Sequence, residues 1–282
     1  MNILLTGSGG FIGKNLKKGL CDKYNLLSPR SYELDLTNNN EVRLYFHKNK
    51  VDFVIHCATV GGARGIADKD STIEDNLAMV DNILNNKKPE TRVILFCSGA
   101  MYDKSRNLHK VKEDDIGKNI PKDLYGKSKM LIAQKIKDRT DVLCLNIFAC
   151  YGYDEKESRF PSYAINQVLS GKDIEINQNV VFDYLFVEDM QRIVEYFIEN
   201  KPYHNIINIT PDNSISLFDI SNIVKTFGDK DISIKIKNSE LGNEYTGDNS
   251  ILLKEMPSIE FTDMTEGLRK LYNYKYRKIR SV

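Results

Sequence analysis

A chain of 282 residues, 41% hydrophobic and 28% charged, has the make-up of a globular protein with one large domain or two modest ones. Forty basic residues against thirty-nine acidic ones leave a formal charge of +1, which gives no electrostatic reason to expect nucleic acid or an anionic membrane as partner. Five scattered cysteines without CxxC spacing and four histidines far apart argue against a disulfide framework and a metal centre. MNILLTGSGG lacks a charged leader region, and no apolar run nears the roughly 18 residues of a membrane span, so a reducing, cytoplasmic setting is expected.

Apolar runs of β type alternate with segments of helix length. NILLT (2–6) leads into a helical pattern through about residue 22. YNLLS (24–28) precedes a stretch in which Asn or Thr can cap a helix beginning near 39. VDFVIHCA (51–58) is followed by a helix over about 74–88, and RVILFCS (92–98) by a loop and a helix over about 123–138. DVLCLNIF (141–148) is the next buried run. These strands are continuously apolar, as expected when helices cover both faces of a sheet, and the repeated β–α spacing predicts an α/β, Rossmann-type, doubly wound parallel sheet.

After Gly152 the character changes. YDEKESR is loop-like, SYAINQVLSGK reads as a helix ending at Gly171, and DIEIN and VFDYLFV read as short strands. EDMQRIVEYFIEN is a helix, NIINIT a further buried strand and SLFDISNIVKTFG another helix. The expected organisation is a dinucleotide-binding domain over 1–152, to which 179–212 returns. A smaller C-terminal substrate-binding lobe is expected from 153–178 and 213–282.

Glycines at 7, 10 and 13 follow the first strand and open the first helix. Gly7 permits a tight turn, Gly10 lets the backbone approach a pyrophosphate, and Gly13 lets helix and strand pack closely. The helix start at Phe11 and Ile12 offers N–H groups and partial positive charge to phosphates. NAD usually meets an acid at the end of the second strand. Here Ser28 and Arg30 stand there, which suits the 2′-phosphate of NADP, with NAD as the other choice. Asp35 can bond the adenine or cap the next helix, and Leu36 and Ala58, with Tyr125 and Lys129 further along the chain, complete the expected cofactor set.

Tyr125 and Lys129 are spaced i, i+4 and share a helix face, so a cation stands where it can stabilise phenolate. That makes a tyrosine usable as a general acid or base near neutral pH. Ser98 ends an apolar strand at the edge where open α/β sheets bind their ligands.

TGxxGFIG at the N-terminus, a Ser ending the fourth strand four residues before Tyr102, and YxxxK together resemble the extended short-chain dehydrogenase/reductase family of NAD-dependent epimerase/dehydratase type. CYG (150–152) and FDYLFVED (182–189) resemble its "NVYG" and "RDFVYVDD" segments, so the likeness covers nearly the whole chain. Leu27–Asp35 and the ATVGG loop at 58–62 look most like the GDP-fucose synthase branch. The resemblance implies Ser98, Tyr125 and Lys129 as catalytic residues, and a substrate wall including Asn76, Ser98, Gly99, Ala100, Arg159 and Phe182. It gives His56 a structural place. It also implies a nucleotide-sugar substrate and a homodimer through the helices near 74–88 and 123–138.

The departures concern substrate. That branch epimerises before it reduces, using a Cys two residues after the Ser and a His beyond "YG"; this chain has Ala100 and ESRF (157–160) there. Alanine cannot carry a proton and arginine does not release one. The diphosphate-binding Arg of "RDFVYVDD" is Phe182, which can stack on a base or fill the core, and Arg159 is a candidate replacement contact. The expected activity is NADPH-dependent reduction of a 4-keto sugar nucleotide. A C4 epimerase retaining NAD and a non-catalytic dinucleotide-binding sensor are the alternatives.

Overall fold

The structure, a computed structural model, describes residues 1–63 and 65–280. The first half alternates β1 (Asn2–Thr6), α1 (Phe11–Leu20), β2 (Asn25–Leu27), α2 (Asn39–Lys48), β3 (Phe53–His56), α3 (Thr72–Asn86) and β4 (Arg92–Ser98). A short strand, β5 (Leu108–Val111), precedes α4 (Leu124–Ile136), β6 (Val142–Ile147) and β7 (Ala149–Tyr151). Then come α5 (Phe160–Ser170), β8 (Ile174–Gln178), β9 (Val181–Phe182), β10 (Tyr184–Phe186), α6 (Val187–Glu199) and β11 (Ile206–Ile209). The chain continues through β12 (Ile215–Ser216), α7 (Leu217–Lys225), β13 (Ile234–Asn238), β14 (Tyr245–Gly247), α8 (Ser250–Glu255) and α9 (Met264–Arg280).

Six strands form one parallel sheet in the order β11-β6-β4-β3-β1-β2. Side chains alternate across it, and both faces are buried. Ile3, Leu5 and Ile55 pack with Leu16 of α1 and Ile193 of α6 on one face. Leu4 and Val54 pack with Val42 of α2, Val80 of α3 and Ala133 of α4 on the other. The sheet is the predicted Rossmann type, and α1, α3 and α4 lie within two residues of their predicted bounds. Helix ends follow local chemistry. Asn38 accepts from the N–H groups of Asn40 and Glu41 to start α2, and Gly171, at φ +64°, stops α5.

The smaller lobe holds a four-stranded sheet, β12-β9-β14-β5, and a β13-β8 pair. Strand β11 lies in the main sheet, within the segment expected to return there. Strand β5, however, comes from inside 1–152 and β9 from inside 179–212, so the lobe draws on more stretches of chain than the expected division allows. The single strand expected over VFDYLFV is two. At Asp183 the chain leaves β9 and enters β10, which pairs with β7. The Asp183 carboxylate, wholly buried, accepts from Ser214 Oγ (2.6 Å), the Gly247 N–H (2.8 Å) and Lys110 Nζ (3.3 Å). A carboxylate with three donors can sit inside the protein and pin this change of sheet.

Candidate active site

The glycine turn separates packing from binding. Gly7 has φ +67°, and a Cβ there would lie 2.5 Å from the Ala58 nitrogen. A Cβ on Gly13 would lie 2.2 Å from the Gly7 carbonyl oxygen. Both positions exclude any other residue on steric grounds. At Gly10 the nearest atom to a Cβ is the Gly7 oxygen at 3.4 Å, an ordinary contact, so the protein's own packing does not demand glycine. The space before Gly10 opens toward solvent, and α1 starts there without a side-chain cap, its first N–H groups free for an anion.

A cavity of about 440 Å³ extends from this turn, lined by Gly7, Gly10, Arg30, Asp35, Leu36 and Ala58 among others. The Arg30 guanidinium stands over Gly9, 3.0 Å from where its Cβ would be. Asp35 accepts from the N–H and hydroxyl of Thr37 (2.9 and 2.7 Å), a turn-forming use of its carboxylate. Phe11 and Ile12 are half-buried at the helix start, and Gly13 is buried. An open glycine cradle, an uncapped helix start and a guanidinium in one cleft fit a dinucleotide's pyrophosphate and ribose. A larger cavity, about 530 Å³, opens beside Arg92 and Lys201 where β4 begins, at the opposite end of the strands from Ser98.

Ser98 ends β4 half-buried, its Oγ accepting from the Ala100 N–H at 3.2 Å. Tyr125 is the second residue of α4 and half-buried, and Lys129 is buried one turn later. The Lys129 ammonium lies 5.6 Å from the centre of the Tyr125 ring. It donates to the Phe96 carbonyl at 3.1 Å, two residues before Ser98 on the same strand. One bond therefore locks the tyrosine–lysine helix to the serine strand. Close packing does the rest: a Cβ on Gly126 would lie 2.6 Å from the Ala100 oxygen.

The residues expected on the substrate wall divide. Asn76 is 1% exposed, and both ends of its amide are used. It accepts from the Val60 N–H (2.8 Å) and the Thr59 hydroxyl (3.2 Å), and donates to the Val60 carbonyl (2.9 Å) and Ser128 Oγ (3.0 Å). With no free polar atom it orders the loop after β3 and does not present itself to a substrate. Gly99 is buried beneath the Phe148 ring, and Ala100 is buried as well. Phe182 is half-buried among Tyr184 and Tyr245, ring centres 5.4 and 5.9 Å away. Arg159 is exposed at the start of α5, its guanidinium 6.0 Å from the Phe11 ring centre and 3.7 Å from Glu155. That places it beside the opening of α1, next to the dinucleotide cleft.

Three residues absent from the sequence reading belong to this region. Tyr245, on β14, packs on Phe148 with ring centres 5.2 Å apart, and its hydroxyl interacts with Ser98. Desolvation pushes its phenol up, while Ser98 pulls the other way. Asp68 accepts from the N–H groups of both Gly62 and Tyr125. Glu155 is a buried carboxyl pushed up to about 7 by desolvation, against the opposing pull of Ser162 and Arg159. His56 bonds Thr6 Oγ1 at 2.8 Å through Nδ1, and burial, with Lys129 nearby, pushes it down to about 3, so it stays neutral.

Residues 3–210 match the NAD dependent epimerase/dehydratase family. A GDP-L-colitose synthase from Yersinia pseudotuberculosis is 24% identical across 97% of both chains. In fold, the chain is similar to MlghC, a GDP-mannoheptose C4 reductase from Campylobacter jejuni with NADP bound (TM-score 0.83, 18% identity, 98% of both chains). It is also similar to a GDP-L-fucose synthetase from Naegleria fowleri bound to NADP (TM-score 0.82, 15% identity, 100% of this chain and 94% of that one). With a glycine cradle and a Ser–Tyr–Lys group at one end of its sheet, and a match that spans most of its length, the chain belongs to the NAD dependent epimerase/dehydratase family and is a nicotinamide-dinucleotide-dependent enzyme.

Proposed function

We propose that this enzyme reduces a 4-keto (deoxy) sugar nucleotide with NADPH, a step suited to making the sugars of bacterial surface polysaccharides. The observation that carries the reading is the Ser98–Tyr125–Lys129 group, tied to one strand end through Lys129 and Phe96, with no proton carrier at Ala100. A proton for one oxygen is provided for, and position 100 offers no group to take protons from neighbouring carbons. The names of the three relatives support a GDP sugar, and the two NADP-bound structures support NADP, as does Arg30 over Gly9.

The cofactor's role is to supply hydride to the carbonyl carbon. Gly7, Gly10 and Gly13 would shape its cradle, the first N–H groups of α1 would receive its pyrophosphate, and Arg30 would pair with a 2′-phosphate. Tyr125 donates its phenolic proton to the developing alkoxide. Ser98 donates a hydrogen bond to the same oxygen as charge builds there, a preorganised stabilisation. Lys129 uses one N–H on Phe96, and its others would hold the nicotinamide ribose while its charge acts on Tyr125.

The test is a turnover screen with NADPH or NADH and a panel of 4-keto-6-deoxy sugar nucleotides, beginning with GDP sugars, followed at the reduced-nicotinamide absorbance band. Stoichiometric NADPH oxidation is expected, with a loss of about 10²–10⁴-fold in Tyr125→Phe and unchanged NADPH binding. A sugar isomer formed without net oxidation, on enzyme that retains NAD through purification, would replace the reductase reading with a C4 epimerase.

A further inference from the structure

Tyr125 stands at the second position of α4, so its backbone N–H is one of the helix-start donors with no partner inside the helix. Asp123, just before the helix, takes the N–H of Gly126 at 2.9 Å. The Tyr125 N–H goes instead to Asp68, 57 positions earlier, whose Oδ2 accepts it at 2.8 Å. The other oxygen, Oδ1, accepts the N–H of Gly62, also at 2.8 Å. One carboxylate thus joins the loop after β3 to the backbone of the proton donor.

The loop is shaped for this contact. Gly61 and Gly62 have φ of +85° and +72°, where glycine is at ease and other residues are strained. A Cβ on Gly62 would lie 2.9 Å from three ring atoms of Tyr125, so the Gly62 backbone lies directly against the phenol ring. A Cβ on Gly61 would lie 2.6 Å from Asp68 Oδ1. Asn76 holds the start of the same loop at Val60. The ring of Tyr125 therefore has a wall on one side whose position depends on Asp68.

We propose that Asp68 is a positioning residue for the proton donor, holding Gly62 against the Tyr125 ring so that the phenol meets the substrate oxygen at a fixed place. The inference rests on Tyr125 being the proton donor. A carboxylate that only caps α4 would support folding and leave turnover at saturation unchanged. A clasp acts on kcat, because a small misplacement of the reacting group slows the step while cofactor binding persists.

Asp68→Ala removes both bonds; Asp68→Asn has a single oxygen and keeps one. With the substrate found in the screen above, kcat should fall roughly tenfold in the Ala variant and less in the Asn variant, with KM changed less than kcat. NADPH affinity, read by fluorescence titration, should stay within about twofold of the parent. In a Tyr125→Phe background Asp68→Ala should cause no further loss of residual turnover, because its effect passes through the phenol. An equal loss in both backgrounds, or unchanged kcat with lowered melting temperature, would overturn the proposal. Amide hydrogen exchange provides an arm that needs no substrate: in Asp68→Ala the peptides containing Gly62 and the start of α4 should both lose protection, and in Asp68→Asn, which keeps one bond, one of the two should. Unchanged exchange would remove the clasp even if the enzyme is a reductase. Absence of turnover by the parent, with the exchange result as expected, would fault the proposed reaction and leave the clasp standing.

Discussion

Glu155 carries a pH signature that can be read without knowing the substrate. Its side chain is buried between β7 and α5; one oxygen accepts the Ser162 N–H at 3.0 Å and the other has Arg159 3.7 Å away. Desolvation, the largest influence, moves the carboxyl from 4.5 to about 7. A raised folded-state value means that the contribution to stability is complete below pH 4.5 and is lost as pH climbs through 7. A shift of this size corresponds to roughly 3 kcal/mol between the two limits. Glu155→Gln keeps an acceptor for Ser162 and cannot ionise. It should match the parent near pH 4 and exceed it in thermal stability near pH 8. A variant less stable than the parent at pH 8 would mean that the ion pair with Arg159 outweighs burial. Arg30 permits a second test. Charge-assisted bonds to a phosphate contribute about 1.5–3 kcal/mol, so Arg30→Ala should weaken NADPH binding about tenfold or more and NADH little. Equal weakening of both would place Arg30 away from the 2′-phosphate. Legibility differed among these residues. Ser98, Tyr125 and Lys129 stood out because each belongs to a short local pattern. Asp68 reaches Tyr125 across 57 positions and Tyr245 reaches Ser98 through strand pairing in the small lobe, so neither leaves a local trace.

Among the elements, the turn between β1 and α1 makes the sharpest distinction between structure and binding. Gly7→Ala and Gly13→Ala each force a Cβ within about 2.5 Å of backbone, at Ala58 and Gly7. Backbone cannot yield as a side chain can, so both variants should be strongly destabilised, by several kcal/mol, or fail to fold. Gly10→Ala meets nothing closer than 3.4 Å. It should fold with a near-parent melting temperature in the absence of cofactor yet bind NADPH poorly, because the methyl group enters the space a pyrophosphate needs. Calorimetry with and without NADPH separates the two behaviours. If Gly10→Ala bound NADPH as the parent does, the cradle would have to lie elsewhere. Glycine spacing and apolar runs were enough to locate β1, α1, β3 and β4, since local sterics and two-sided burial dictate them. The break between β9 and β10 was not readable. It depends on Ser214, Lys110 and Gly247 converging on Asp183 from distant parts of the chain.

The whole molecule is held as one body by a core that does not stop at the lobe boundary. Ile3, Leu5 and Phe53 of the sheet share a single apolar cluster with Phe160 of α5, Leu217 and Val224 of α7, and Leu268 and Leu271 of α9. Helix α9 comes so near β7 that a Cβ on Gly267 would lie 2.1 Å from the Tyr151 hydroxyl oxygen. The lobe also takes β5 from between β4 and α4, so the lobe and the sheet cannot separate without breaking the pairing of β5 with β14 or pulling on the segment that leads into α4. Thermal unfolding should therefore be a single cooperative transition. A cofactor that binds only the folded state stabilises it by about 2.7 kcal/mol at one hundred times its dissociation constant. For a chain of 282 residues that is a rise of roughly 4–5 °C. NADPH should move the whole transition upward by this amount, in the parent and in Tyr125→Phe alike, because that substitution leaves the glycine cradle, the start of α1 and Arg30 in place. Two separated transitions, with only the first moved by NADPH, would show that the lobe folds on its own and that the shared core contributes less than its burial implies.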